Sequence, residues 1–278
     1  MLQRPIFNSL LIILVFILCP FLINAQIKPG VKQSAVSFSD ISSPSDLFTA
    51  YYNPAASKMF QTAQVATYYS PSPYGLSELR QFGLTGLYPI DGFNICAGIY
   101  NYGFKLYNET YATANVSLNA MDNLIVGASI TAQNLHIERY GNSTAFRLDL
   151  GGIVIINDYI NASFSGINLL GSEYSGSENS VPKVFRTGIS LKPFEGLKLH
   201  ALLEAEETFA PDLRVGWSYE PHQNIVLRNG YSRSNGEFSI GGSILFSGIS
   251  FDYSYAHHKY LGSTHIVGLA VPDVIKFF

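Results

Sequence analysis

The amino-acid sequence has little charge for its length. Only 13% of its 278 residues are Asp, Glu, Lys or Arg, and 17 basic residues against 20 acidic ones give a net charge of −3. This balance provides no basic surface for phosphate, so we exclude nucleic acid as a partner. It also provides too few charges for the lysine-rich solvent face that is usual in a soluble β-sandwich.

Cysteine is almost absent as well. The two cysteines are Cys19 and Cys96, and the first lies in a segment, residues 1–25, in which Arg4 precedes the apolar run 10–18. A basic start followed by a short apolar core is typical of an export signal. Cleavage of this segment leaves Cys96 as a single thiol, which cannot form an internal disulfide. We therefore expect the exported protein to be held together by its strands.

A lipoprotein signal is the alternative at this end of the chain, because Cys19 is positioned to carry the lipid. However, Leu18 stands where a small residue should precede a lipid-modified cysteine, so cleavage before Gln26 is favoured. No further run of apolar residues is long enough for a membrane-spanning helix.

The sequence has instead a long series of segments in which apolar and polar residues alternate. Residues 237–246 read EFSIGGSILF and residues 249–255 read ISFDYSY, so each places its large apolar side chains on one face of an extended strand. Only Ser247 and Gly248 separate these two runs, which predicts a tight hairpin. The fourteen predicted strands lie near 61–70, 80–88, 93–103, 110–120, 123–134, 145–156, 159–168, 184–192, 196–206, 211–220, 223–232, 237–246, 249–256 and 264–271.

Alternation alone does not separate a membrane barrel from a soluble sandwich, because a sandwich buries its apolar face between two sheets. Three observations favour the barrel: the large number of strands, the scarcity of charge, and an export signal without disulfides. A closed barrel also satisfies the hydrogen bonds of every strand and leaves no exposed edge. We therefore predict an all-β fold, a 14-stranded antiparallel transmembrane β-barrel in the outer membrane of a Gram-negative bacterium.

The lengths of the connections predict the orientation of the barrel. Connections after even-numbered strands are short, whereas most of those after odd-numbered strands are longer, notably 71–79, 135–144, 169–183 and 257–263. Outer-membrane barrels have short periplasmic turns and longer external loops, so both ends of the mature chain are predicted to be periplasmic.

The chain divides into four parts on this interpretation. They are a signal peptide at 1–25, an irregular segment at 26–58, the barrel at 59–271 and a C-terminal tail at 272–278. The irregular segment is expected to pack against something larger. The Asn53-Pro54 step within it predicts a turn or kink, because a residue that precedes proline disfavours helix.

Charged residues occur on the polar faces of several strands. Glu204, Glu206 and Glu207 suggest acid/base carboxylates. Alternation directs Glu204 and Glu206 toward the lumen, where nearby strands carry arginines that can pair with them, namely Arg186, Arg214 and Arg228. We therefore expect a lumenal charge network and no catalytic site. The charges predicted to face the lumen are those of Arg147, Asp149, Arg186, Lys198, Glu204, Glu206, Arg214, Arg228, Glu237 and Asp252.

Three histidines near the C-terminus look at first like a metal cluster. His257, His258 and His265 have no cysteine or carboxylate at a standard ligand spacing, so we expect no metal there. We assign His257 and His258, with Leu261 and Gly262, to an external loop and His265 to its rim. The sequence contains no nucleophile elbow, phosphate loop or paired catalytic motif, which predicts a protein that is not an enzyme and has no cofactor.

Several stretches resemble the PorV/PorQ-like outer-membrane proteins, which are relatives of the FadL-type channels. Residues 52–56, YNPAA, are similar to the Asn-Pro-Ala segment of that superfamily. Residues 182–199, 224–246 and 251–269 resemble consecutive family blocks. The last block is the most specific, with an Asp-Tyr-x-Tyr strand, a loop containing His and Leu-Gly, and Thr-His at the start of the final strand.

The resemblance implies a fourteen-stranded barrel with a short N-terminal plug-like segment, residues 26–58, in or under the lumen. Asn53, Pro54 and Ala55 would belong to the kink of this plug; the alternative is a turn that simply closes the base of the barrel. The implied function is type IX protein secretion and surface attachment of cargo, with outer-membrane lipid and secretion components or their cargo as partners.

The alternative function is a FadL-like transporter, whose partner would be a hydrophobic small molecule. It predicts a continuous apolar pocket that leads from the external loops to a gap in the barrel wall near the N-terminal segment. Two features depart from the family pattern: the external loops are short for a cargo-binding member, and Pro272 ends the last strand before the tail PDVIKFF.

Overall fold

The strands form one closed antiparallel barrel. The computed structural model describes residues 28–174, 181–207 and 209–277, so the export signal expected at residues 1–25 lies outside the described residues. Strands β1 to β14 are Gln64–Ser70, Gln81–Ile90, Phe93–Gly103, Tyr107–Met121, Leu124–Ile137, Gly141–Asn157, Ile160–Ile167, Val184–Phe194, Leu197–Glu206, Asp212–His222, Ile225–Ser232, Glu237–Phe246, Ile249–His258 and Gly262–Val271. Each strand pairs with its neighbours in the chain, and β1 pairs with β14 to close the barrel. The predicted fold class is therefore confirmed.

The connections define two ends of the barrel. Tight turns follow the even-numbered strands, as at Ser247-Gly248, where both residues have a positive φ, 49° and 80°. Paired positive φ angles are those of a type I′ hairpin turn, for which glycine is suited at the second position. We term this end the turn side and the opposite end the loop side.

Two of the loops expected on the loop side are shorter than predicted. The segments 135–144 and 257–263 are mostly strand, because the ladder continues to Ile137 opposite Gly141 and to His258 opposite Gly262. Polar side chains at the tips of β5 and β6 bond to each other across the strands: Asn134 Nδ2 donates to Thr144 Oγ1 at 2.9 Å. The longer connections at this end are residues 71–80 and 168–183.

The outer face of the barrel is apolar, and its inner face is polar. In the hairpin of β12 and β13, Phe238 is 46% exposed and Phe251 is 50% exposed, whereas Ser239 is 0% and Asp252 is 6% exposed. This orientation of the two faces is the predicted one. An apolar outer surface that continues from strand to strand is that of a barrel surrounded by lipid. No helix in the described part of the chain is both long and apolar enough to span a membrane.

A charge on the outer face is expected to destabilise the protein in a bilayer. Ile240 lies near the middle of β12 and is 50% exposed. An arginine at the bilayer midplane costs about 2–4 kcal/mol, so Ile240→Arg should lower the free energy of unfolding in lipid vesicles by this amount. Urea titration followed by the fluorescence of Trp217, the single tryptophan, measures the loss. Tyr260→Arg, in the tip of the next hairpin, is the matched control, and an equal loss in both variants would contradict a lipid-facing Ile240.

Candidate functional site

The N-terminal part of the chain occupies the lumen. Residues 28–63, which we term the lumenal segment, contain the short helix α1 (Val31–Ala35) and two 3₁₀ helices, Leu47–Tyr51 and Pro54–Met59. Helix α1 contacts strands β11 to β14, and the second 3₁₀ helix contacts β3 to β6 on the opposite wall. The segment therefore crosses the lumen from one wall to the other.

Glycines on the inner wall allow the lumenal segment to approach closely. A Cβ atom added at any of eight inward-facing glycines would lie less than 3.0 Å from an atom of that segment, a distance that real Cβ atoms essentially never show. We term these residues the glycine belt. They are Gly98, Gly127, Gly151, Gly188, Gly216, Gly230, Gly241 and Gly268. The wall and the segment thus fit each other without space for a side chain at these positions.

The Asn53-Pro54-Ala55 motif lies where the segment meets this belt. Asn53 is fully buried; its Oδ1 accepts the backbone N–H of Ala55 at 3.1 Å, and its Nδ2 donates to the carbonyls of Ile41 and Gly152, each at 3.2 Å. The first bond caps the 3₁₀ helix that starts at Pro54, and the bond to Gly152 joins the segment to β6. The motif therefore makes a kink inside the barrel and is bonded to its wall.

An ionic cluster ties the start of the lumenal segment to the loop-side half of the wall. Glu204 accepts from Lys28 Nζ at 2.8 Å, from Arg186 Nε at 2.6 Å and from Arg214 Nη2 at 2.8 Å. Arg214 also donates to Asp212 at 2.7 Å. We term these five residues the Glu204 cluster. Lys28 thus lies in the loop-side half of the lumen, so the lumenal segment does not begin at the periplasmic end expected from the strand count.

Burial makes the charge of Lys28 unfavourable. It lowers the pKa of Lys28 from 10.5 to about 8, and the charge of Arg214 adds to this effect. The docked segment therefore binds fewer protons than the undocked segment between about pH 8 and about pH 10.5, so docking should gain stability as the pH rises through this window. The urea concentration at which trypsin first cleaves the segment should rise between about pH 7.5 and about pH 10. Lys28→Met should abolish the rise, and a rise that persists in this variant would contradict its origin in Lys28.

The other predicted lumenal charges lie in two places. Arg147 and Asp149 pair at 3.1 Å in the loop-side half. On the turn side, Arg228 donates to Ser243 Oγ at 2.6 Å, and Lys32 of α1 lies 3.5 Å from Asp252. Three further residues complete the predicted set. Glu206 and Glu237 are buried toward the loop side. Lys198 pairs in the ladder with the inward-facing Ser218, but its side chain is exposed.

The histidines do not share one site. His257 and His258 end β13 and Gly262 begins β14, which leaves only Leu261 of the predicted loop residues in the turn. His258 is buried, with its Nδ1 as the acceptor for the N–H groups of Tyr260 and Leu261, each at 3.2 Å. No group of three or more His, Cys, Asp or Glu side chains in the described ranges is arranged to hold a metal ion.

A cavity of about 260 Å³ lies in the lumen on the loop side. Its floor consists of lumenal-segment residues, among them Lys28, Pro29 and Tyr52, and its wall includes Tyr174 and Pro182 of the 168–183 connection. We term it the loop-side cavity. Its position makes it the candidate functional site, because a molecule that enters the lumen from the loop side meets the segment there.

Tyrosines dominate the lining of the loop-side cavity. The rings of Tyr100 and Tyr111 stack with 4.2 Å between their centroids and an angle of 8°, and Tyr51 meets Tyr100 edge-on at 5.3 Å. Gln133 Nε2 donates to Tyr111 Oη at 2.8 Å and also bonds to Tyr174 Oη. The aromatic wall is therefore held in one arrangement by stacking and hydrogen bonds.

Charged side chains complete this lining. Lys28, Arg147 and Arg186 supply positive charge, and Glu109 supplies negative charge. The carboxylate of Glu109 already accepts from the hydroxyls of Tyr107 and Tyr111. The cavity thus combines fixed aromatic faces with several cationic groups.

Several of these residues were missed by the sequence reasoning. Tyr100 and Tyr111 occupy inward positions in β3 and β4, so strand alternation alone would have directed them to the lumen. Lys28 and Tyr52 lie in the irregular segment, where no periodicity indicates which wall a side chain faces. Nothing in the local sequence indicates that Lys28 meets Glu204.

Comparison with known proteins shows the fold of the chain but no sequence family. No protein-family model and no curated protein sequence matches it. Among solved structures, a Pseudomonas aeruginosa FadL homologue matches with a TM-score of 0.61 and 12% identity over 91% of this chain and 99% of its own. The Pseudomonas putida toluene transporter TodX matches with a TM-score of 0.62 and 11% identity over 91% of this chain and 98% of its own.

A third match, the CymD monoaromatic hydrocarbon channel, has a TM-score of 0.56 and 11% identity over 89% of this chain and 93% of its own. At such identities the similarity shows a shared FadL-type barrel fold. It shows the fold alone, in agreement with the barrel that the sequence resemblance implied, and says nothing of the PorV/PorQ part.

Proposed function

We propose that the protein is an outer-membrane channel of FadL type that takes up a small organic molecule. The observation that carries this proposal is the loop-side cavity, whose floor is the lumenal segment. A molecule that enters from the external face reaches the loop-side cavity and then meets the lumenal segment, which is not part of the barrel wall. The FadL-type fold supports the proposal, since the similar structures are named as channels and transporters of hydrocarbons.

Passage through the lumen requires the lumenal segment to move. The cavity ends on this segment, and each strand of the wall pairs with both neighbours around the barrel. The loop-side cavity is polar and aromatic, so it is not the continuous apolar pocket expected for a FadL-like transporter. An apolar cavity of about 710 Å³ lies instead among outward-facing side chains of β1 and β11 to β14, such as Leu227, Phe251 and Leu269. We therefore place the gate in the segment, which is joined to the wall by hydrogen bonds between small side chains, such as Ser42 to Ser163 at 2.6 Å.

A disulfide across this contact tests the proposal. Ser42→Cys/Ser163→Cys, reconstituted in liposomes, should pass a labelled one-ring organic compound only when the disulfide is reduced, because oxidation joins the segment to β7. Each single cysteine variant is the control and should be insensitive to oxidant. Flux that continues through the oxidised double variant would show that the compound takes another path. Wild-type protein that does not pass the compound would exclude the uptake function.

A role in type IX secretion is the other function that the sequence suggests. It is supported by the sequence resemblance alone, and the hairpin at His258–Gly262 is short for a surface that handles protein cargo. Purification of the protein from outer membranes separates the two functions. Secretion components that co-purify, with loss of surface-attached cargo in a deletion strain, would favour secretion over uptake.

A further inference from the structure

We infer that the loop-side cavity binds a small aromatic carboxylate, with its ring against the tyrosines and its carboxylate near Arg147, Arg186 and Lys28. This inference rests on the proposed uptake function and specifies the class of molecule. It differs from the hydrocarbons named for the similar structures, because a neutral hydrocarbon has no group for these cations to bind.

The size of the cavity limits the ligand to about one ring. Its volume of about 260 Å³ is below the roughly 300–1,000 Å³ of pockets for drug-sized ligands. A single ring with one substituent is a suitable occupant for such a space.

The aromatic part of the ligand follows from the tyrosines. Tyr100 and Tyr111 form a stacked pair, and Tyr51 and Tyr174 add further aromatic surface to the same lining. Aromatic pairs prefer offset-stacked or edge-to-face arrangements, which strengthen binding about two- to tenfold beyond the burial of their area. A flat ring uses this geometry, whereas an aliphatic ring of equal size gains only the burial of its area.

The negative charge of the ligand follows from the cations. Arg147 donates from its Nε to Asp149, and Arg186 donates from its Nε to Glu204. Lys28 and Arg214 also donate to Glu204. Because Asp212 also pairs with Arg214, the Glu204 cluster holds three cations and two carboxylates, which leaves an excess of one positive charge. Burial is the main cause of the lowered pKa of Lys28, and the charges of Arg214 and Arg186 lower it further while that of Glu204 raises it.

The single carboxylate of the lining is already bonded by other side chains of the protein. Glu109 accepts hydrogen bonds from Tyr107 and Tyr111 and, at 3.4 Å, from Gln133 Nε2, so its charge is stabilised by three donors. A neutral apolar ligand would instead cover the cationic groups without a hydrogen bond, which costs free energy. A carboxylate forms charge-assisted hydrogen bonds with arginine, and these are the strong ones.

Calorimetric titration of the purified full-length protein with benzoate, cyclohexanecarboxylate and toluene tests the inference. Benzoate should bind saturably. Cyclohexanecarboxylate, which lacks the aromatic ring, should bind about two- to tenfold more weakly, and toluene, which lacks the charge, about tenfold or more weakly. Arg147→Gln should weaken benzoate about tenfold or more and leave toluene unchanged. Lys198→Gln, which removes a positive charge on the turn side, is the matched control and should bind benzoate as the wild type does.

A second variant keeps the test decisive if Arg147→Gln does not fold. Tyr111→Leu should lose the preference for benzoate over cyclohexanecarboxylate, whereas a merely distorted cavity would weaken both ligands equally. Equal binding of toluene and benzoate to the wild type would overturn the inference and leave uptake intact. Benzoate that binds but does not cross in the liposome assay would support the site and overturn uptake, and the absence of saturable benzoate binding would overturn the inference.

Discussion

Gly151→Val is expected to displace the lumenal segment and to open the barrel to ions. A Cβ at Gly151 would overlap Asn53 Oδ1 and lie 2.9 Å from Pro54 Cδ. Valine adds three carbons at this position, and overpacking of this kind costs about 1–3 kcal/mol. It also displaces Asn53 from the carbonyls of Ile41 and Gly152, and the loss of each hydrogen bond costs about 1 kcal/mol.

Conductance across a planar bilayer and limited trypsin digestion measure this displacement. In the wild type the segment is docked, so Lys32, which is buried in α1, should resist trypsin. In Gly151→Val the bilayer should conduct, and trypsin should cleave after Lys32. Gly86→Val is the matched control, since a Cβ at this glycine meets nothing closer than 3.7 Å. A closed, trypsin-resistant Gly151→Val protein would show that this contact does not hold the segment.

Glu204→Gln is expected to have the largest effect of any single charge change. The carboxylate is 2% exposed and holds Lys28, Arg186 and Arg214 together. Its removal leaves three buried cations with one fewer partner, and loss of one member of a buried ion pair costs about 3–5 kcal/mol. We therefore expect a protein that unfolds at much lower urea concentration and whose lumenal segment is cleaved by trypsin under native conditions.

Two further variants show whether charge is the cause. Glu207→Gln makes the same chemical change at an exposed position next to the barrel rim and should unfold as the wild type does. Adding Lys28→Met to Glu204→Gln removes one of the unpaired cations and should restore part of the lost stability. If the double variant unfolds earlier than Glu204→Gln alone, the excess of positive charge is not the cause.

Strand alternation predicted most of the barrel because the two faces of each strand meet different surroundings. In β12, Phe238 and Ile240 face outward and Glu237 and Ser239 face inward, as the pattern indicates. The boundaries of β12 were also predicted. The tips of β5, β6 and β13 were not, because side chains such as His136 and Asn142 bond to each other across the ladder, and no local pattern reveals such a pair.

The candidate site could be predicted only in part. Glu204 and its arginines were placed together because neighbouring strands carry them on the same face. The path of the lumenal segment could not be predicted, because its side chains meet residues far away in sequence, as Lys28 meets Glu204 and Ser42 meets Ser163. The glycines of the belt gave no signal of their own, since glycine in a strand marks a close approach without showing what approaches.

The way in which the lumenal segment crosses the barrel has a consequence for the order of assembly. Pairing of β1 with β14 closes the barrel and brings Tyr69 next to Val267. Joining two points roughly 200 residues apart in the chain costs on the order of 5 kcal/mol of chain entropy. Helix α1 rests on β11 to β14, and the chain that leaves the segment at Ala63 continues directly into β1. A lumenal segment that docks on β11 to β14 early in folding holds β1 near β14, so the barrel closes around the segment. Stopped-flow fluorescence of Trp217 should therefore show slower closure when residues 28–58 are deleted.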